Sequence, residues 1–182
     1  MQKKLIDHLR YLVCVVGIVG VTQLPIQQAL AADDSPSETS KAISALRDLR
    51  DKTSDLTMNA MSFLGIKYKR GGNTPENGLD CSGFVRLVFK NTDETELPRT
   101  AKEISTQGTS VETKDLKPGD LVFYNTLKRS FSHVGIYLGD NKFIHAPSAG
   151  GRIRIESMDL DYWRKRFNGA RRITEEKPAK SP

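Results

Sequence analysis

The stretch NGLDCSGFV, residues 77–85, joins a turn-forming cluster to the predicted start of an amphipathic helix. Asp80 suits the cap of a helix that is predicted to end near Lys90. The apolar positions of one helical face follow it: Phe84, Val85, Val88 and Phe89. Cys81 falls in the first turn, where free backbone N–H groups and the helix dipole stabilise an anion. We therefore expect the pKa of the Cys81 thiol to lie below its ordinary value.

The N-terminus is typical of a secretory signal peptide. Three basic residues precede an apolar run over residues 11–21, and residues 29–31 (ALA) fit a signal peptidase site. A membrane anchor is the alternative, but residues 22 and 23 break the run before the ~20 residues that a bilayer requires. We therefore expect an exported protein, periplasmic or secreted, without a stable membrane anchor.

Cleavage after Ala31 would remove 31 of the 182 residues and leave 151, a length that suits one domain. The loss of three basic residues and one acidic residue would lower the formal net charge from +6 to +4. The basic residues are scattered and show no aromatic-and-basic repeat, so we expect no nucleic-acid partner. An anionic polymer outside the membrane suits this charge better.

Cys81 is the only cysteine after residue 31, so a mature exported chain offers it no internal disulfide partner. Two interpretations remain open for such a thiol. It packs as a small hydrophobic side chain, or it is used as a nucleophile.

Helices are predicted up to about Lys90 and strands after Pro98. Apolar spacing over residues 43–64 predicts two short helices, or one interrupted helix, before Gly65. Short β-branched and aromatic runs then predict strands at residues 121–124, 134–138, 142–145 and 152–155, with a closing strand at 171–173. We therefore expect N-terminal helices packed on a mostly antiparallel sheet.

The two histidines after residue 31, His133 and His145, lie on neighbouring predicted strands. If residues 139–141 form a three-residue hairpin loop, His145 faces Gly135 and stands diagonally beside His133. Both imidazoles would then share the face opposite the aliphatic residues of the first strand. A two-residue loop would reverse this parity and separate the two rings.

A thiol at a helix start and two imidazoles on a neighbouring sheet are the groups that thiol acyl transfer requires. Cys81 would attack a carbonyl, His133 would take its proton and later protonate the leaving amine, and His145 would orient His133. Zinc binding by the same three residues is the alternative, but the sequence lacks a close ligand pair and an obvious fourth ligand. We therefore expect neither a metal nor an organic cofactor.

Four motifs in order resemble those of the NlpC/P60 family of cell-wall peptidases: residues 68–72 (YKRGG), 80–85 (DCSGFV), 118–123 (PGDLVF) and 132–137 (SHVGIY). The resemblance covers roughly residues 56–173. It implies a papain-like α+β fold and a catalytic triad of Cys81, His133 and His145. Arg70 departs from the family pattern, which usually has an aromatic residue before the glycine pair.

The resemblance also implies which residues meet the substrate. Tyr68 would help to polarise the attacked carbonyl, with a packed aromatic at a loop edge as the alternative interpretation. Asp80, Ser82 and Arg99 would border the substrate, and helix capping is the alternative role of Asp80.

The substrate that the resemblance implies is the stem peptide of peptidoglycan. A cysteine endopeptidase of this family would cut either the bond between D-glutamate and the diamino acid or the D,D crosslink. A non-hydrolytic wall-binding regulator, or an acyltransferase of the same fold, is the alternative function. We expect the protein to act as a monomer.

These inferences divide the chain into four parts. Residues 1–31 are the predicted signal peptide, and residues 32–50 are a flexible or partly helical lead-in. Residues 51–174 form the predicted NlpC/P60-like catalytic domain, and residues 175–182 are a disordered tail.

Overall fold

The computed structural model describes residues 38–93, 95–126, 129–149 and 151–173. These ranges contain four α-helices, eight strands and one short 3₁₀ helix at Thr113–Asp115. The helices are α1 Glu38–Ser62, α2 Cys81–Asp93, α3 Ala101–Ile104 and α4 Asp161–Arg164. The strands are β1 Asn73–Thr74, β2 Gly78–Leu79, β3 Thr109–Val111, β4 Leu121–Tyr124, β5 His133–Gly139, β6 Lys142–His145, β7 Arg154–Ser157 and β8 Phe167–Arg172.

Two predicted segments lie outside the described residues: the signal peptide at 1–31 and the tail at 175–182. Within the described residues, no helix is both long and apolar enough to cross a membrane.

Six of the described strands form one sheet in the order β3-β8-β4-β5-β6-β7. Every neighbouring pair in this sheet is antiparallel. β1 and β2 pair separately in a short antiparallel ribbon before α2. The predicted α+β fold with a mostly antiparallel sheet is therefore confirmed.

The main hydrophobic core lies between the helices and one face of the sheet. Leu56 of α1 and Val88 of α2 belong to the same buried cluster as Val134 and Ile136 of β5. Burial of these side chains provides most of the stabilisation that holds α1 and α2 on the sheet. The packing fixes where α2 begins relative to β5.

The opposite face of the sheet carries a second, largely aromatic cluster. Tyr124 of β4, Tyr137 of β5, Phe143 of β6 and Trp163 of α4 are buried together there. The ring of Tyr124 lies edge-on to that of Trp163, with 4.8 Å between their centroids. The central strands are therefore buried on both faces, and the face that carries the histidines is packed as well.

α1 is one continuous helix, where two short helices or an interrupted one were predicted. The chain has neither glycine nor proline between residues 38 and 62, so the backbone continues as a helix through Ser54 and Asp55. The hydroxyl groups of Thr53 and Thr57 bond to carbonyls one turn earlier, at 2.8 and 3.1 Å, instead of capping a new helix. Buried residues of α1 are Leu56 and Ala60, both in its second half.

The β5-β6 hairpin has the predicted register but a different turn. Ile136 pairs with Ile144 and Tyr137 with Phe143, as a three-residue loop requires. The pairing then shifts so that Gly139 opposes Lys142, which leaves a two-residue turn at Asp140 and Asn141. Both turn residues have positive φ, 50° and 53°, as a type I′ turn needs. A bulge beside the turn therefore restores the parity that a two-residue loop alone would reverse.

Candidate active site

Cys81 is the first residue of α2, and Asp80 caps that helix. Oδ1 of Asp80 accepts the backbone N–H of Gly83 at 2.7 Å, and the Asp80 carbonyl accepts the N–H of Phe84 at 2.9 Å. A Cβ on Gly83 would lie 2.2 Å from the carbonyl oxygen of Gly72. The glycine is therefore required for the first turn of α2 to pack against the preceding loop.

The Cys81 thiol is half-buried, and its surroundings favour the neutral form. Burial raises the pKa of Cys81 to about 11, and the negative charge of Asp80 acts in the same direction. Hydrogen bonds from the backbone N–H groups of Val134 and Ser82 oppose this rise without cancelling it. The prediction that the pKa of Cys81 lies below its ordinary value is therefore wrong.

His133 and His145 are buried next to one another on the aromatic face of the sheet. Nε2 of His133 lies 2.8 Å from Nδ1 of His145, a hydrogen-bond distance, and the two ring planes are nearly perpendicular. His133 also stacks on Trp163, with 5.5 Å between ring centroids. The structure thus brings together the two imidazoles that the hairpin register predicted.

Burial also sets the charge of the imidazole pair. It lowers the pKa of His133 and of His145 to about 3. The positive charge of the partner ring adds to the shift at His133, and that of Arg154 adds to the shift at His145. Both rings are therefore neutral near pH 7, each with one N–H and one free nitrogen.

Val134 links the imidazole pair to the thiol. Its backbone N–H lies close enough to the Cys81 thiol to lower the pKa of that thiol, and Val134 directly follows His133 in β5. The start of α2 therefore meets β5 at the residue next to His133.

Asp80, Ser82 and Arg99 form one hydrogen-bonded group at the start of α2. The guanidinium of Arg99 contacts both carboxylate oxygens of Asp80, at 2.7 and 3.2 Å, and the Ser82 hydroxyl at 2.8 Å. Burial acts to raise the pKa of Asp80, but the bonds from Arg99, Gly83 and Gly71 outweigh it and lower that pKa. Asp80 is therefore an ionised carboxylate that serves the helix cap and Arg99 together.

Tyr68 lies at the edge of this group and is half-buried. Its backbone forms an isolated bridge with Leu79, immediately before Asp80. Burial raises the pKa of the Tyr68 phenol, and the negative charges of Cys81 and Asp80 raise it further. The phenol therefore keeps its proton and can donate a hydrogen bond beside the thiol.

The sequence model of the NlpC/P60 family matches residues 65–172, which contain the helix start and both histidines. This chain belongs to the NlpC/P60 family. A solved NlpC/P60 family protein from Bacillus cereus shares the fold, with a TM-score of 0.62 and 33% sequence identity. That match covers 66% of this chain and 39% of the other chain. The predicted family and its papain-like fold are thus confirmed.

Two relatives in Escherichia coli are named as murein endopeptidases. Murein DD-endopeptidase MepH is 40% identical over 126 residues, which are 67% of this chain and 46% of that protein. Murein DD-endopeptidase MepS/Murein LD-carboxypeptidase is 45% identical over 109 residues, or 60% of this chain and 56% of that protein. The chain therefore spans about half the length of these relatives.

Sequence reasoning missed Glu156, which lies behind His145 in this NlpC/P60 domain. Nε2 of His145 is 3.2 Å from Oε2 of Glu156, although the ring N–H is not aligned for a hydrogen bond. In the β6-β7 pairing His145 opposes Arg154, so Glu156 lies two residues along on the same face. The sequence signal that could have identified Glu156 was the pair of charged residues at positions 154 and 156, which share one face of a strand.

The geometry of the imidazole pair fits a hydrogen bond better than a shared metal ion. The two facing nitrogens are 2.8 Å apart, which leaves no room between them for an ion that binds each at about 2 Å. Among the described residues, no group of three or more His, Cys, Asp and Glu side chains is arranged to hold a metal.

Proposed function

We propose that this protein is an exported cysteine endopeptidase that hydrolyses stem peptides of peptidoglycan. The observation that carries the proposal is the junction between the start of α2, with its thiol, and the buried pair of histidines on β5 and β6. The names of the two Escherichia coli relatives support murein as the substrate. The predicted signal peptide and the mild basic charge suit an anionic polymer outside the membrane.

The attack begins from a neutral pair. Because the Cys81 thiol and the His133 imidazole both rest uncharged, His133 accepts the thiol proton as the sulfur attacks the carbonyl. The S–C bond forms and the C–N bond breaks, and His133 delivers the proton to the leaving amine. Water then attacks the thioester, the C–S bond breaks, and the proton returns to Cys81 through His133.

The residues beside the thiol have separate roles in this proposal. The Tyr68 hydroxyl donates a hydrogen bond to the carbonyl oxygen as negative charge develops on it. Asp80 holds the start of α2 and fixes Arg99, and the Arg99 guanidinium and Ser82 hydroxyl border the bound peptide. His145 orients His133 through the 2.8 Å contact between their ring nitrogens.

For the bond that is cut, we propose the D,D crosslink. The printed names of both Escherichia coli relatives include DD-endopeptidase activity. Cleavage between D-glutamate and the diamino acid is the other outcome that a direct assay would reveal.

Defined muropeptides test the proposal most directly. The chain from residue 32 onward, under reducing conditions, is incubated with monomeric and D,D-crosslinked muropeptides, and the products are weighed by mass spectrometry. We expect conversion of the crosslinked substrate to monomers, and none with Cys81→Ala. His133→Ala is expected to lose turnover as well, because the variant lacks the base that takes the thiol proton.

Two outcomes contradict parts of this proposal. Full hydrolysis by Cys81→Ala would overturn the thiol mechanism. A folded wild-type protein with a reduced thiol that cuts neither substrate would favour the wall-binding regulator or the acyltransferase instead.

A further inference from the structure

Glu156 connects the imidazole pair to the rest of the aromatic face. Its Oε1 accepts the Nε–H of Arg154 at 2.7 Å, and its Oε2 accepts the indole N–H of Trp163 at 2.5 Å. The same Oε2 lies 3.2 Å from Nε2 of His145, whose side chain is fully buried. The Glu156 side chain is only 19% exposed, so this carboxylate is held in place from two sides.

The carboxylate decides between two tautomers of the imidazole pair. In the first, His145 carries its proton on Nε2, facing Glu156, and its Nδ1 accepts the Nε2–H of His133. In the second, Nδ1 of His145 donates to His133, and the unprotonated Nε2 of His145 faces the carboxylate. The charge of a carboxylate oxygen 3.2 Å away favours an N–H over a lone pair on Nε2 of His145, although the two groups are not aligned for a hydrogen bond, so the first arrangement is favoured.

The first tautomer has a direct consequence for the reaction. Because Nε2 of His133 is then occupied by its proton, Nδ1 of His133 is the free nitrogen that can accept a proton. In the second tautomer Nδ1 of His133 carries the proton, and the ring cannot act as a base toward the thiol.

We propose that Glu156 is a positioning residue that holds His145, and through it His133, in the tautomer that leaves Nδ1 of His133 free as the base. The proposal rests on the proposed function, since the base is needed for thiol attack. It also gives His145 a carboxylate behind it, so the polar contacts that orient His133 extend beyond the predicted triad to a fourth residue.

Other charged and titratable groups face this pair from the surrounding elements. Arg154 of β7 stands opposite His145 in the strand pairing and donates to Glu156, and the Tyr124 phenol of β4 is close enough for the Glu156 charge to raise its pKa. The Glu156 charge also acts to raise the pKa of His133, which helps that ring to hold a proton during the reaction. Removal of the Glu156 charge should therefore weaken His133 as a base and also remove the preference for the first tautomer.

The first experiment reads the tautomers of the wild-type protein without any assay of activity. Long-range ¹H–¹⁵N NMR of histidine-labelled protein near pH 7 distinguishes Nδ1–H from Nε2–H rings. We expect both His133 and His145 to carry the proton on Nε2. A proton on Nδ1 of His145 would overturn the proposal, whether or not the protein cleaves peptidoglycan.

The second experiment compares Glu156→Gln with Glu112→Gln on the crosslinked muropeptide. The Glu156→Gln change keeps the size of the side chain but removes its charge, and the new amide can present either its oxygen or its NH₂ to His145. We expect kcat to fall at least about tenfold with little change in KM, because Glu156 acts on the reaction through His145 and His133. Glu112 is exposed and makes no cap hydrogen bond, so its variant should match the wild type.

The pattern of results separates this proposal from the proposed function. Unchanged kcat in Glu156→Gln would refute a positioning role. Absence of any cleavage by the wild type would refute the endopeptidase, while the NMR result would still decide how Glu156 acts on the two rings.

Discussion

At the scale of single residues, two opposing effects act on the Cys81 thiol, and their sizes decide its charge. A helix N-terminus stabilises a nearby anion by about 0.3–1 kcal/mol, which is less than one pKa unit. Burial and the neighbouring Asp80 raise the pKa from 9.0 to about 11, which is a larger change in the opposite direction. The Cys81 thiol at this helix start is therefore protonated in the resting protein.

The pH dependence of thiol alkylation measures this state directly. At pH 7 a thiol with a pKa of about 11 has about 100-fold less thiolate than one at 9.0, so iodoacetamide should modify Cys81 slowly. We expect the rate to keep rising up to about pH 11. The same chain in denaturant, made from residue 32 onward so that Cys81 is its only cysteine, provides the reference.

The opposite profile would contradict the neutral pair. A fast rate that is constant from below pH 7 upward would show that the thiolate and an imidazolium are already formed in the resting protein. The mechanism would then begin with an ion pair, and the role of His133 in the first step would change.

At the scale of elements, the hairpin of β5 and β6 determines whether the two imidazoles meet. Gly135 is the residue that allows the close approach, since a Cβ there would lie 2.8 Å from a ring carbon of Phe143 and 3.1 Å from Cβ of His145. Gly139 has a different task in the same strand. Its φ of 98° forms the bulge next to the turn, and a Cβ there would meet nothing closer than 3.6 Å.

The same substitution at these two glycines should give different results. Gly135→Ala forces Phe143 and His145 to shift, so we expect a loss of about 1–3 kcal/mol in stability and of most turnover. Gly139→Ala places an L-residue at positive φ, which costs about 1–2 kcal/mol but leaves the imidazole pair alone. Urea unfolding and turnover per folded molecule measure the two effects. Wild-type turnover per folded molecule in Gly135→Ala would contradict this and show that Gly135 matters only for stability.

Local sequence patterns predicted the elements well but not the interactions between them. The apolar spacing identified α2, and short runs of β-branched and aromatic residues identified β5 and β6. The shared face of His133 and His145 was predicted from a three-residue loop, whereas the structure reaches it with a two-residue turn and a bulge. A bulge depends on how two strands pair, and residue types alone do not specify it.

The missed features of the site also depend on tertiary packing. Glu156 lies close to His145 because β6 and β7 pair in one particular register. The sequence of β7 alone does not specify that register. The charge of Cys81 was predicted incorrectly because burial, which outweighs the helix dipole there, follows from the packing of α2 against β5. Local sequence patterns predicted which elements carry the thiol and the imidazoles. Long-range packing determines the protonation of these groups.

At the scale of the whole molecule, the two-sided burial of the sheet keeps ionisable groups neutral inside it. His133 is 6% exposed and His145 is fully buried, both against the aromatic cluster. The pKa of each ring is lower in the folded protein than the ordinary value of 6.5. As the pH falls, the unfolded chain therefore binds protons on these histidines before the folded protein does.

This difference makes the domain sensitive to acid. The part of the free energy of unfolding that depends on the two neutral histidines is fully present above pH 6.5. It is lost progressively as the pH falls toward 3. Each histidine contributes a slope of up to about 1.4 kcal/mol per pH unit in this window. Asp80, whose pKa is lowered from 3.8, adds a further loss that begins only near that value. We expect the free energy of unfolding in urea to decrease steadily between about pH 6.5 and 4.

The double variant His133→Gln/His145→Gln separates the histidines from the carboxylates. Because glutamine does not titrate, we expect its free energy of unfolding to stay nearly constant from pH 6.5 to about 4 and to fall below that, where Asp80 protonates. The variant will be less stable than the wild type near pH 7, so the slope and not the absolute value is compared. A slope that matches the wild type over this range would mean that the histidines are charged or open to water in the folded protein. In that case the neutral resting pair, and with it the proposed first proton transfer, would be wrong.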